Sequence, residues 1–138
     1  MSDDFNKQVI EEFRANGGVV GGPFEGAALA LLTTTGAKSG KQTTSPVMYF
    51  QDGGNIYVVA SNGGQDHHPA WYHNLRANPA LTVEIGTESF TAKAELFVEG
   101  EERDRLFAHV VSIAPGFADY QAGTTRRIPI AALHRTTA

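Results

Sequence analysis

Apolar residues Phe5, Val9, Ile10 and Phe13 recur at i, i+4, i+5 and i+8, which predicts an amphipathic helix from about Asp3 to Arg14. Gly17-Gly18-Val19-Val20-Gly21-Gly22-Pro23 breaks that period and links the helix to the rest of the chain. Ala28–Thr35, with Leu29, Leu31 and Leu32 apolar, reads as a strand, and Gly36-Ala37-Lys38-Ser39-Gly40-Lys41 as a loop. Two apolar runs, Thr44–Phe50 and Asn55–Ala60, flank Asp52-Gly53-Gly54 and predict a hairpin. Asn62-Gly63-Gly64 ends the second run. Pro69 then suits the first turn of a helix that carries Trp71, Tyr72 and Leu75 and stops before Asn78-Pro79. Leu81, Val83 and Ile85 alternate with Thr82 and Glu84, and Phe90, Ala92, Ala94 and Leu96 alternate again, predicting two half-buried antiparallel strands joined near Gly86-Thr87. Leu106, Phe107, Val110 and Val111 give a helix over Glu101–Ile113, interrupted by Pro115-Gly116. Ile128–Leu133 closes the chain as a short strand, and Pro129 points to an edge position.

Hairpins with flanking helices predict an α+β domain around a mostly antiparallel sheet, and six strand candidates of this length can curl into a small barrel. No parallel βαβ pattern appears, which argues against a Rossmann domain. Residues 1–26 read as a helix with a glycine-rich linker and residues 27–138 as the barrel domain. The 138 residues suffice for one self-sufficient core. A hydrophobic fraction of 41% with 19% charged residues excludes a disordered tail or a rod. With no cysteine, disulfides, thiolate nucleophiles, Fe–S clusters and Cys-type zinc sites are excluded. Fifteen acidic against 11 basic residues, a net charge of −4, argue against nucleic acid as a partner. No apolar run approaches the ~20 residues of a membrane span, and Met1-Ser2-Asp3-Asp4 is acidic where a signal peptide is basic. The expectation is a cytoplasmic protein. The first helix mixes Asp4, Lys7, Glu11, Glu12 and Arg14 on its polar face, which favours packing on its own domain or a partner subunit. Peripheral contact at the inner membrane face is the alternative, although such helices prefer a Lys/Arg-rich polar face.

Several clusters carry chemistry. The loop Gly36–Lys41 looks like a phosphate loop, but a Walker A pattern fails because position 35 is Thr and position 42 is Gln. Two glycines still expose backbone N–H groups, and Lys38 and Lys41 add charge, so an anion site and a solvated turn both stand. His67, His68 and His73 lack the carboxylate that would complete a metal pattern and read as polar residues at a helix start. Ser39, Ser45 and Ser61 sit in no nucleophile elbow. Trp71, Tyr72, Phe117 and Tyr120 are either core residues or a wall for a planar ring. Arg126-Arg127 either pair with ligand anions or mark a solvated strand entrance. Together these features suggest a planar, phosphate-bearing cofactor without identifying it.

Three stretches resemble one family. They are Leu31–Lys41 leading to Pro46; Val59-Ala60-Ser61-Asn62-Gly63-Gly64 with His68-Pro69-Ala70-Trp71-Tyr72-His73-Asn74-Leu75 and Ala77-Asn78-Pro79; and Pro115-Gly116-Phe117-Ala118-Asp119-Tyr120-Gln121 with Thr125-Arg126-Arg127-Ile128-Pro129. In this order and spacing, from about Leu29 to Leu133, the chain resembles the deazaflavin-dependent nitroreductase family of actinobacteria. The resemblance implies a split β-barrel of the flavin-reductase (FMN-binding) type and a homodimer. It also implies coenzyme F420, a deazaflavin with a phosphate and an oligoglutamate tail, and two-electron reduction of quinones, nitroaromatics or activated enones.

By the same resemblance Ala37, Lys38 and Ser39 hold the phosphate and tail. Thr43, Thr44, Ser45, Pro46, Val47 and Met48 line the cofactor, and Val59, Ala60, Ser61 and Asn62 lie near its ring. Ala70, Trp71, Tyr72, His73 and Asn74 contact it from the helix start, and Tyr120 stands at the mouth of the pocket. Ser61 and Tyr120 are the expected catalytic hydrogen-bond donors to an electron acceptor that takes hydride. Two positions depart from the family pattern. Thr43 stands where many relatives carry Arg, removing a charge for the tail, and Phe117 stands where some carry Tyr, removing a hydroxyl donor. The rival readings are an FMN-dependent oxidoreductase on the same barrel and a non-catalytic cofactor- or quinone-binding protein.

Overall fold

The computed structural model describes residues 3–21, 28–52, 54–61 and 67–136. Helix α1 (Asp3–Ala15) leads into strands β1 (Leu29–Thr35), β2 (Gln42–Asp52) and β3 (Asn55–Val59), then helix α2 (Ala70–Ala77). Strands β4 (Ala80–Ile85) and β5 (Glu88–Phe97) follow, then helices α3 (Glu101–Ile113) and α4 (Gly116–Ala122) and strand β6 (Ile130–Arg135). The strands close a barrel in the order β1-β2-β3-β6-β5-β4, every pair antiparallel. Closure leaves β6 between β3 and β5, so the edge position expected from Pro129 is not realised. Pro129 lies just before the first residue of β6, where its missing N–H breaks no bond inside the strand.

Alternation along each strand sorts side chains to two faces. Ala30, Leu32, Val58, Leu81, Val83, Phe90, Ala92, Ala131 and Leu133 fill the barrel, and Trp71, Tyr72 and Leu75 of α2 pack against them. On the outer face, Tyr57, Val59, Ile130 and Ala132 pack under Leu106, Phe107 and Val110 of α3 and Phe117 of α4. Elsewhere outside the barrel, Leu29 and Leu31 of β1 are covered by Val9 and Phe13 of α1. Val9, Ile10 and Phe13 of α1 are thus spent on this chain's own barrel, and burying Phe13 stabilises by about 1.5–3 kcal/mol. Arg14 ties the helix to β4 through Glu84 at 2.8 Å. Among the described residues no helix is long and apolar enough to cross a membrane.

Strand β2 changes partner midway. Its residues 42–48 pair with β1, and its residues 49–52 pair with β3. On the β3 side, residues 42–48 of β2 have no strand partner among the described residues, and Thr44–Tyr49 all remain half-buried.

Candidate active site

Helix α2 divides into two faces by its period. Trp71, Tyr72, Asn74 and Leu75 are buried, while Ala70, His73, Arg76 and Ala77 are exposed. The exposed face forms one wall of a cleft of about 820 Å³. The opposite wall is Gly36, Ala37, Lys38 and Ser39 with Thr43 at the start of β2. A volume of this order suits a cofactor-sized ligand.

The loop is held by its own hydrogen bonds. Gly36 N–H donates to Lys41 O at 2.7 Å, Gly40 N–H to Gly36 O at 3.0 Å and Lys41 N–H to Ser39 Oγ at 3.1 Å. Gly40 sits at φ 72°, a left-handed conformation that glycine adopts without strain. Ala37 N–H donates to Oδ1 of Asn74 at 3.0 Å. Four amides are therefore committed, and those of Lys38 and Ser39 remain to meet an anion among the described residues. Lys38 and Arg76 bring side-chain charge to the cleft, and neither makes an ion pair with a described residue. Asn74, read from sequence as a cofactor contact, lines the cleft and also bolts it together, because its Nδ2 donates to Thr34 Oγ1 at 3.0 Å.

Of the sequence-predicted site residues, Ala37, Lys38, Ser39, Thr43, Ala70, His73 and Asn74 line this cleft. Arg76 lines it too and was missed. Its place three residues after His73 and six after Ala70, opposite the apolar face, was the available signal. Thr44 is turned the other way and shares a hydrogen bond with Thr33 at 2.9 Å. Ser45, Pro46, Val47 and Met48 continue along the unpaired part of β2. Val59 packs under α3 and α4, and Ala60 points into the barrel with Trp71 and Tyr72. At 6% and 3% exposed, the Trp71 and Tyr72 rings are core, so they form no open stacking wall in the cleft. Asn62 lies outside the described residues.

Ser61 follows the end of β3, where Arg126 grips the backbone. One guanidinium nitrogen donates to Ala60 O at 3.1 Å and the other to Ser61 O at 2.7 Å. Arg126 is therefore neither a solvated residue nor a free anion ligand. Its own carbonyl accepts from Gln121 Nε2 at 2.8 Å, and Gln121 Oε1 accepts from Arg103 at 2.6 Å. Arg103 is a buried cation that also donates to Ile128 O at 2.9–3.0 Å and lies 4.4 Å over the Phe107 ring. Burial lowers its pKa, and Asp104 at 3.1 Å opposes that shift. Tyr120, on α4 beside Gln121, is exposed and stands edge-on to Phe117 at 5.2 Å. It lies outside the cleft lining.

The family model for F420H2-dependent quinone reductases matches residues 5–135. The chain belongs to this family. An F420H2-dependent quinone reductase of Mycobacterium tuberculosis is 35% identical over 129 residues, covering 89% of this chain and 85% of that one. A solved F420H2-dependent reductase, FDR-A, aligns with a TM-score of 0.69 and 40% identity over 78% of this chain and 94% of that chain. A structure described as a domain-swapped dimer aligns at 0.72 with 36% identity, over 95% and 98%. The F420H2-dependent quinone reductases are coenzyme F420-dependent oxidoreductases, and the cleft can be tested against that cofactor. Two side-chain cations and two amides suit a phosphate and carboxylates, and the buried aromatics suit no stacked ring there. The donor set therefore fits the anionic arm of F420.

Proposed function

We propose that this member of the F420H2-dependent quinone reductase family reduces quinones by two electrons, with nitroaromatics and activated enones as further acceptors, and acts as a homodimer. The observation that carries the reading is the cleft whose facing walls present Lys38 and Arg76 as cations with no ion pair among the described residues. These two residues would hold the phosphate and oligoglutamate tail by charge-assisted hydrogen bonds. The half-buried stretch Ser45–Met48, running on from Thr43, would place the ring toward Ser61. When bound, the reduced deazaflavin supplies the hydride. The hydroxyls of Ser61 and Tyr120 would donate to the acceptor oxygen that gains charge, leaving no need for a covalent nucleophile. The neighbour described as a domain-swapped dimer supports the homodimer.

Titration of the purified protein in the dark with F420 and with FMN tests the cofactor. Preference for FMN, or a yellow protein as purified, would overturn it. Consumption of reduced F420 with menadione and with a nitroimidazole tests the acceptor. Tight F420 binding without turnover of either would favour a carrier.

A further inference from the structure

The end of β3 is held by a side chain in place of a strand. One step past the Val59↔Ile130 pair, the register sets Ala60 against Pro129. Ala60 N–H donates to Pro129 O at 2.9 Å, but Pro129 has no N–H to return. Arg126 supplies that missing donor to Ala60 O and extends the grip to Ser61 O.

The same guanidinium nitrogen that reaches Ala60 lies 2.9 Å from Nδ1 of His68. Arginine has donors and no acceptor, so Nδ1 accepts and the ring is neutral with its proton on Nε2. The His68 ring lies against Tyr72, tilted by 43° with ring centroids 4.5 Å apart. The charged and titratable groups facing it are Arg126 from the segment before β6, and His73 and Arg76 from α2. Burial first, and then these neighbours, hold its pKa below the usual histidine range. Protonation would place a cation against Arg126 and remove the acceptor.

We propose that Arg126 and neutral His68 form a latch that positions Ser61 for the acceptor, with Arg126 a positioning residue and His68 the group whose protonation opens the latch. This rests on the reading of Ser61 as a donor to the acceptor. The sign follows: activity is kept above the depressed pKa of His68 and lost as pH falls through it.

The test uses the full chain with reduced F420 and menadione. Arg126→Gln is expected to lower kcat by about 10- to 100-fold, the cost of a misplaced group, while F420 affinity holds. Arg126→Lys keeps the charge without the fork and is expected to fall between. His68→Asn sets a non-titrating acceptor near the Nδ1 position and should flatten the acid limb of the wild-type kcat profile. Imidazole nitrogen NMR should show His68 as the Nε2–H tautomer, titrating at higher pH in Arg126→Gln, which removes the facing charge. Finding the Nδ1–H tautomer, an unmoved titration or an unaltered kcat would overturn the latch. So would losses that track a lowered melting temperature across all variants. Should the wild type oxidise no reduced F420, the functional reading fails, and the NMR result still decides the Arg126–His68 bond.

Discussion

The side-chain oxygen of Asn74 accepts the Ala37 N–H at 3.0 Å, joining the two walls of the cleft through one buried amide. The amide nitrogen of Asn74 donates to Thr34, so both ends of the side chain are used. Asn74→Ala would leave the Ala37 amide and Thr34 hydroxyl without these partners. The expected loss is about 1–3 kcal/mol of stability, read by chemical denaturation. F420 affinity should fall with it, since Ala37 begins the segment that carries Lys38.

Lys38 and Arg76 approach the cleft from different elements, the loop and α2. Each is exposed, so each contributes modestly. Lys38→Ala and Arg76→Ala should each raise the Kd for F420 by roughly 5- to 30-fold, equivalent to about 1–2 kcal/mol. Both effects should shrink as salt rises, because exposed charges are screened. A deazaflavin lacking the phosphate and tail should bind wild type and both variants alike, and fluorescence titration of the two ligands separates these outcomes.

Thr43 is exposed at the start of β2 and lines the same cleft. Thr43→Arg would add a third cation beside Lys38 and Arg76 without displacing a buried group. F420 should bind about 2- to 10-fold more tightly, with the gain growing with the number of glutamates in the tail. Titration with short- and long-tailed F420 checks the trend.

Much of the fold that frames the candidate site was legible because period and punctuation agree. Alternation in β4 and β5, the Asp52-Gly53-Gly54 turn and the stop at Asn78-Pro79 each mark an element that the structure contains. What escaped depends on non-local pairing or on elements too short to show a period. The position of β6 inside a closed barrel follows from its pairing with both β3 and β5, which Pro129 alone could not reveal. The seven-residue α4 gives no repeat to read after Pro115-Gly116. Arg103 occupies a buried position of α3 beside Leu106, Phe107 and Val110, and nothing in the pattern says that a charge there finds Ile128 O and Gln121.

Gly18 and Gly86 meet where the end of α1 docks on the β4–β5 turn. A Cβ on Gly18 would lie 2.7 Å from Gly86 Cα, and Gly18 sits at φ 97°. Gly18→Ala therefore meets both a clash with backbone and a left-handed conformation. It should cost at least ~1–3 kcal/mol and loosen α1, read by thermal melting and hydrogen exchange over residues 5–15. Arg14→Ala, which removes a two-point ion pair between a half-exposed guanidinium and a mostly covered Glu84, should cost only about 1 kcal/mol. A larger loss from Arg14 than from Gly18 would show that charge, not close backbone approach, seats the helix.

Tyr120 and Ser61, the proposed donors to the acceptor, sit on segments joined by one chain of bonds, since Gln121 holds the Arg126 carbonyl and Arg126 holds Ser61. Tyr120 is exposed, and its ring rests on Phe117, so Tyr120→Phe removes a hydroxyl and leaves the packing intact. A donor that strengthens as charge develops is worth about 2.7–4 kcal/mol in the transition state, or roughly 100- to 1000-fold in kcat. Tyr120→Phe and Ser61→Ala are each expected to show a loss of that order with quinone and nitro acceptors, with F420 affinity unchanged. If the hydroxyls only shape the pocket, KM will rise and kcat will hold. Loss of kcat at constant F420 affinity is the signature that assigns them to the chemical step.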